Sequence, residues 1–296
     1  MAGLTRRQFG FLAAAVGLLG IDAVAQPVTP SVRLPDGSRV PALGQGSATL
    51  AQGRHPASEE EDALRIGISL GMTLIDTAEL YGNGRAERLI GRVIAGQRDH
   101  VFLVSKVWPS HATATGIRQA CAASLARLGT DYLDLYLLHW PNGVPDLAVV
   151  VQTFDRLRVE GRIRRWGVSN FAVTDMEELY RIPGGTACAT NQVRYNLMDR
   201  RIERALLPWC EQHRVPIMAY SPLGRGGDLL RNPALAQVAD RHHSSPAAIA
   251  LAWTIRSGRV IAIPESGAPA HVKQNAAALS LRLTDQDVDD LNRAFP

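Results

Sequence analysis

From residue 42 onward, short continuous apolar runs alternate with longer stretches in which apolar residues recur every three or four positions. The short runs predict strands near 42–46, 72–76, 101–105, 134–138, 165–169, 187–192, 215–220 and 259–263. The longer stretches predict helices near 58–70, 84–96, 113–128, 146–160, 173–181, 202–213, 234–257 and 271–279, the seventh interrupted around Ser244-Ser245-Pro246. Repeated strand–helix alternation of this kind predicts an α/β fold, a parallel (β/α)8 or TIM barrel. Ahead of it, Ser31 to Val40 reads as a β-hairpin turning at Asp36-Gly37. Behind it, Thr284-Asp-Gln-Asp287 is a variant of the capping box and predicts an extra C-terminal helix running to Arg293. No low-complexity linker divides residues 27–296, which are expected to form one barrel domain.

The first 25 residues have a different pattern. Thr5-Arg6-Arg7-Gln8-Phe9 is a twin-arginine sequence, an apolar stretch runs from Phe11 to about Ile21, and Ala23-Val24-Ala25 fits a small-residue cleavage site. A buried or amphipathic N-terminal helix is the structural alternative. The stretch is short for a membrane span, so no stable insertion is expected after cleavage. The twin-arginine machinery is the expected partner and the periplasm the expected location. That route carries folded proteins, which suits an enzyme loaded with its cofactor beforehand.

Composition narrows the function classes. The formal net charge is +4, falling to +3 once Arg6, Arg7 and Asp22 are removed, and no basic run or stripe supports nucleic-acid binding. Cys121, Cys188 and Cys210 form neither a CxxC pair nor a zinc pattern. The first and third fall in helical patterns and the second in a strand, which predicts buried free thiols. No metal site is expected; His242-His243 is the nearest candidate, and adjacent helical residues diverge too far to share an ion easily.

Four ionisable residues stand at or just beyond the ends of predicted strands: Asp76 and Tyr81, Lys106, and His139. The carboxyl ends of barrel strands are where this fold keeps its chemistry. A carboxylate, phenol, amine and imidazole converging there suit proton transfer to or from an oxygen. Lys106 and Lys273 are the only lysines in an arginine-rich chain, and a compact ammonium is not interchangeable with a guanidinium. Taken singly, Asp76 could cap a helix, Tyr81 could pack on a rim loop and His139 could be a satisfied core histidine.

The same residues lie in longer motifs: Ile75-Asp-Thr-Ala-Glu-Leu-Tyr-Gly82, Val104-Ser-Lys106, Ser124 to Pro141, Gly161 to Phe171, Asn191-Gln192 and Ala219-Tyr-Ser-Pro-Leu-Gly224. In these the chain resembles the aldo-keto reductase family, over essentially its whole length after the signal, and most of all the bacterial short-loop group that reduces dicarbonyls such as methylglyoxal. The resemblance implies that Tyr81 donates a proton to a carbonyl as hydride arrives from a nicotinamide. Lys106 would lower the Tyr81 pKa, Asp76 would hold Lys106, and His139 would orient the substrate beside Trp108 and Trp140. It implies a cofactor site made by Gly46, Ser47, Asp76, Ser169, Asn170, Gln192, Tyr220, Ser221, Leu223, Gly224, Arg225, Ile263, Glu265, Ser266, His271, Gln274 and Asn275. Ser169, Asn170 and Gln192 would bind the carboxamide, Tyr220 would stack on the ring, and Asn275 would face the adenine side.

The chain departs from the family pattern at the ribose. Ile263-Pro-Glu-Ser266 carries Glu265 where members preferring NADPH have lysine, and His271 stands at the next basic position. A carboxylate repels a 2′-phosphate and can accept from ribose hydroxyls, so among NAD(P)H cofactors NADH or dual use is favoured; Lys273 or Arg282 could restore NADPH binding. Ala48 stands where many relatives have tryptophan, and the chain ends soon after its last helix, which implies an open pocket for small aldehydes, dicarbonyls or sugars. A monomer is expected. The alternative function is an exported cofactor-binding regulatory or interaction protein on the same barrel, with little turnover. A third version keeps the chemistry but holds one cofactor tightly to shuttle hydride between substrates.

Overall fold

The computed structural model describes residues 30–224 and 226–296. The expected signal sequence and the expected contact at Arg225 lie outside them. The elements run β1 (Ser31–Arg33), β2 (Arg39–Pro41), β3 (Gln45–Gly46), α1 (Ala57–Ser69), β4 (Leu74–Asp76), α2 (Arg85–Ile94), β5 (Phe102–Val107) and α3 (Ala114–Leu128). They continue with β6 (Leu135–Leu138), α4 (Leu147–Val159), β7 (Trp166–Ser169), α5 (Val173–Arg181), β8 (Asn191–Arg194), α6 (Leu206–Gln212) and β9 (Ile217–Tyr220). The chain ends with α7 (Pro233–Arg241), α8 (Pro246–Ile255), β10 (Val260–Ala262), α9 (Pro269–Ala276) and α10 (Asp285–Ala294).

Strands β3 to β10 pair in parallel and in sequence order as an eight-stranded sheet. Parallel bridges Leu43–Ala262 and Gly46–Glu265 join its first strand to its last, so the sheet curls into the expected (β/α)8 barrel. The seam needs glycine: a Cβ on Gly44 would lie 2.7 Å from the Leu74 carbonyl, and one on Gly46 would lie 2.9 Å from that of Ile263. The absent side chains let Gly44 N–H reach Ala262 O at 2.8 Å and Gly46 N–H reach Pro264 O at 2.9 Å.

Period-2 alternation decides what each strand contributes to the barrel. Leu74, Val104, Leu135, Leu137, Met218 and Ile261 belong to one buried cluster, which also takes in Val32, Leu34 and Val40 of the β1–β2 hairpin. Ile75, Leu103, Val107, Tyr136, Leu138 and Ile217 belong to the other, against the helices. The first is the barrel interior with the hairpin as its plug. The next position beyond an inward Leu74, Val104 or Leu137 is Asp76, Lys106 or His139, and all three are buried.

Several expected boundaries shift, among them the first barrel strand, which begins at Gln45 rather than 42, and the last barrel helix, which runs Pro269–Ala276. Strand β8 starts after Cys188, which is buried but precedes the strand, because a 3₁₀ turn occupies Gly185–Ala187. The helix expected from residue 202 starts at Leu206, since Ala205 (φ −146°, ψ −49°) breaks the helical path after a 3₁₀ turn at Arg201–Arg204. Helix α10 is fastened by Asp287. Its carboxylate accepts from Thr284 N–H at 2.9 Å and Arg241 at 2.8 Å and lies 2.7 Å from His242 Nε2. His242 thus serves as a helix-to-helix contact.

Among the described residues, four buried side-chain atoms have no hydrogen-bond partner: Glu60 Oε1, Thr77 Oγ1, the Tyr136 hydroxyl and His139 Nδ1. The Tyr136 hydroxyl has no hydrogen-bond partner among the described residues, although the side chain is fully buried and its ring packs against Phe154 at 5.5 Å. An unmade hydrogen bond of this kind costs about 1–3 kcal/mol. Tyr136→Phe is therefore expected to leave the fold intact and raise its stability by about 1 kcal/mol, read as a higher urea midpoint.

Candidate active site

Lys106 is the hub of the site. Its Nζ donates to Asp76 Oδ2 at 2.8 Å, to the Thr77 carbonyl at 2.8 Å and to the Tyr81 oxygen at 3.1 Å. Three donors thus meet three acceptors in a place with no solvent exposure. Because Lys106 donates to the Tyr81 oxygen, the tyrosine's own proton is not used in that contact, and no described residue accepts it. Tyr81 is carried by the turn after β4, with its N–H on Ala78 O and its carbonyl accepting from Gly84 and Ala86. The His139 ring stands edge-on to Tyr81 at 5.7 Å and to Trp108 at 5.2 Å. The four residues singled out in the sequence are thus assembled in one place.

Burial sets the electrostatics. It drives the Asp76 pKa upward against the opposing pull of Lys106 and the hydrogen bond from Gln192. Burial works to lower the Lys106 pKa, but Asp76 and Tyr81 outweigh it and the net change is upward, so the ammonium is charged at neutral pH. For Tyr81 the outcome differs from the sequence expectation. Lys106 does lower its pKa, but burial is the larger effect and the net change is upward. The phenol stays protonated across the physiological range, which suits donation of a proton.

Burial, helped by the Lys106 charge, depresses the His139 pKa to about 3. The imidazole is neutral at the pH of use, and Nδ1 is buried with no partner among the described residues. A proton there would be an orphan donor; the tautomer with its proton on Nε2 avoids that. The shift also fixes a sign. Below pH 6.5 the unfolded chain takes up a proton that the folded site refuses, so stability falls as pH drops from about 6.5 toward 3. The expected contribution is on the order of 4 kcal/mol at the acid end. Urea midpoints at pH 4 and pH 7 should differ more for the wild-type protein than for His139→Gln.

The residues implied for the carboxamide lie beside this cluster. Asn170, with φ +63°, donates from Nδ2 to His139 O at 3.1 Å and to Ser169 Oγ at 3.0 Å, and its Oδ1 accepts from Tyr220 OH at 3.0 Å. Ser169 Oγ donates to Gln192 O at 2.9 Å. Gln192 Nε2 reaches Asp76 Oδ1 at 2.7 Å, and its Oε1 accepts from no described residue. Ser47 is fully buried and donates its hydroxyl to Asp76 O at 2.9 Å, bracing the end of β4 beside the seam glycine Gly46. Beyond β9, Ser221 (φ +48°) and Gly224 (φ +58°) form a tight turn closed by Gly224 N–H on Ser221 O at 2.9 Å, with Leu223 packed on the core.

The far end of the implied cofactor groove follows β10. Ile263 is buried, Ser266 forms a side-chain turn with Ala268, and on α9 His271 and Gln274 are exposed while Asn275 is buried. The Asn275 amide makes no hydrogen bond with a described residue. Glu265 turns its carboxylate toward the loop after β3. It accepts from Thr49 N–H at 2.9 Å and from the Thr49 hydroxyl, which in turn accepts from Arg54 at 2.7 Å. Trp140 is 40% exposed at the rim, and Trp108 is half-buried. Among the described residues, Gln192 Oε1 and the amide of buried Asn275 have no hydrogen-bond partner, which fits the two ends of a nicotinamide dinucleotide.

Two contributions escaped the sequence reading. Glu79 accepts from Trp108 N–H at 2.7 Å and lies 3.0 Å from His111 Nδ1, holding the Trp108 loop against the turn that carries Tyr81. The amide–carboxylate contact between Gln192 and Asp76 spans the barrel interior. Strand alternation was its only available signal, since both side chains face inward.

The chain matches the model of the aldo/keto reductase family over residues 42–295. It belongs to that family. An aldo/keto reductase of this kind is an oxidoreductase, and its similarity to known members spans most of both chains. Methylglyoxal reductase YeaE of Escherichia coli is 48% identical over 261 residues, 87% of this chain and 92% of that one. A 9,11-endoperoxide prostaglandin H2 reductase of Trypanosoma cruzi is 32% identical over 273 residues, 88% and 91% of the two chains. An aldo/keto reductase of Klebsiella pneumoniae, solved in complex with NADP and acetate, is 45% identical. It superposes with a TM-score of 0.88 over 91% of this chain and 96% of that one.

Proposed function

We propose that this aldo/keto reductase reduces small aldehydes and dicarbonyls, methylglyoxal among them, with a nicotinamide cofactor, and that Tyr81 donates the proton. The arrangement of Lys106 carries this reading: it donates to the Tyr81 oxygen and leaves the tyrosine's proton free for a substrate oxygen. A nicotinamide held there would supply hydride to the carbonyl carbon. Lys106 stabilises the phenolate left behind, Asp76 fixes the ammonium, and neutral His139 offers Nε2–H to the carbonyl oxygen. Trp108, held by Glu79, walls the pocket beside His139. The methylglyoxal reductase of E. coli supports the substrate class. The test is oxidation of NADPH and NADH by the purified protein with methylglyoxal and a panel of aldehydes. A folded sample inert to all of them would move the assignment to a binding role.

For the cofactor, the Klebsiella enzyme solved with NADP supports the phosphorylated form. Glu265 argues the other way. Its carboxylate, anchored on Thr49, would oppose a 2′-phosphate and could accept from ribose hydroxyls. We favour NADH or use of both. Dissociation constants for the two, measured by fluorescence, are expected to agree within about tenfold or to favour NADH; tighter NADPH binding by more than that would overturn the preference. The twin-arginine sequence supports export to the periplasm, which turnover in the periplasmic fraction, lost from that fraction on replacing Arg6-Arg7 with lysines, would test.

A further inference from the structure

Gln192 has two faces, and they point to different partners. Asp76 Oδ1 at 2.7 Å is an acceptor, so the amide must turn its NH2 that way, which fixes the assignment of its ends by chemistry. The other hydrogen of that NH2 points to Met218 Sδ at 2.9 Å. That leaves Oε1, with no donor among the described residues, as the end available to a carboxamide. Asp76 is only 2% exposed, and its two oxygens are divided between Lys106 and Gln192. The same amide therefore touches the group that fixes Lys106, and Lys106 in turn touches the Tyr81 oxygen.

We propose that Gln192 is a positioning residue that links the nicotinamide site to the proton donor: one end of its amide holds the Asp76 carboxylate toward Lys106, and the other receives the carboxamide. Filling the cofactor site then stiffens the chain Gln192–Asp76–Lys106–Tyr81, and the proton donor is aligned when hydride is at hand. This rests on the nicotinamide reading of the site. The physical basis is the burial of Asp76. A carboxylate so far from water depends on every hydrogen bond it receives, and Gln192 supplies one of two from side chains.

Gln192→Glu separates the two ends. It keeps an oxygen for the carboxamide NH2 but sets a second carboxyl against Asp76, where two neighbouring carboxylates cannot both ionise easily. In the cofactor-free protein, the folded pair holds a proton that the unfolded chain has lost. The variant's stability relative to wild type is therefore expected to fall as pH rises from 5 to 8. At saturating cofactor, its kcat is expected to fall at least about tenfold at pH 8 and to recover toward pH 6. Gln192→Leu adds no charge and covers the case in which the glutamate variant does not fold. Its kcat at saturating cofactor is expected to fall by about tenfold or more, beyond any loss of cofactor affinity. The proposal is overturned if the glutamate variant's stability and kcat profiles parallel the wild type. It is also overturned if the leucine variant loses cofactor affinity while kcat at saturation is unchanged. An inert wild-type protein would instead remove the reductase reading, and the cofactor-free stability curves would still report whether residue 192 bears on Asp76.

Discussion

Tyr81→Phe is expected to abolish carbonyl reduction, with kcat lower by about 10³-fold or more, while cofactor still binds with little change. The substitution removes one oxygen and leaves the ring that stands edge-on to His139. What disappears is the hydroxyl whose oxygen rests on Lys106 and whose proton has no acceptor among the described residues. Lys106 then keeps its bonds to Asp76 and Thr77, so the fold should survive. The measurement is turnover at saturating methylglyoxal beside cofactor binding followed by fluorescence. Near-normal turnover in a variant that binds cofactor would remove Tyr81 from the mechanism. The pH dependence of the wild type gives a companion reading. With the Tyr81 pKa raised and His139 neutral, reduction should be nearly flat from pH 6 to 9.

The barrel was legible because short continuous apolar runs recur between amphipathic helical stretches. Leu74 and Asp76, Val104 and Lys106, Leu135, Leu137 and His139 share one face by period alone, and the sequence places each ionisable group at the upper end of an inward column. The hairpin and the last helix were legible from turn and cap chemistry at Asp36-Gly37 and Thr284–Asp287. Boundaries at Ala205 and Cys188 were less so, since they depend on backbone angles that the apolar pattern does not record. The site's pairwise contacts were the hardest to read. Gln192 and Asp76 are 116 positions apart, and Glu265 meets Thr49 across the seam, 216 positions away. The net sign of the Tyr81 shift was misjudged for a related reason: charge partners can be named from sequence, but the depth of burial that outweighs them belongs to the assembled barrel.

Lys106→Met is expected to cost stability as well as activity, and this separates it from Tyr81→Phe. Lys106 is fully buried, and its partner Asp76 is nearly so. Removing the ammonium strands a carboxylate in a place without water, with the amide of Gln192 the only side-chain donor left among the described residues. Breaking one partner of a buried pair costs about 3–5 kcal/mol, whereas replacing both is often close to neutral. The single variant should therefore unfold at a clearly lower urea concentration, and Lys106→Met combined with Asp76→Asn should recover most of the loss. The stranded carboxylate can also relieve itself by taking a proton, so the single variant's deficit should shrink as pH falls. Activity will not return in the double variant, because the group that steadies the Tyr81 oxygen remains absent. Equal urea midpoints for the wild type and Lys106→Met would show that the pair carries no net stabilisation. They would leave Lys106 with its role at Tyr81 alone.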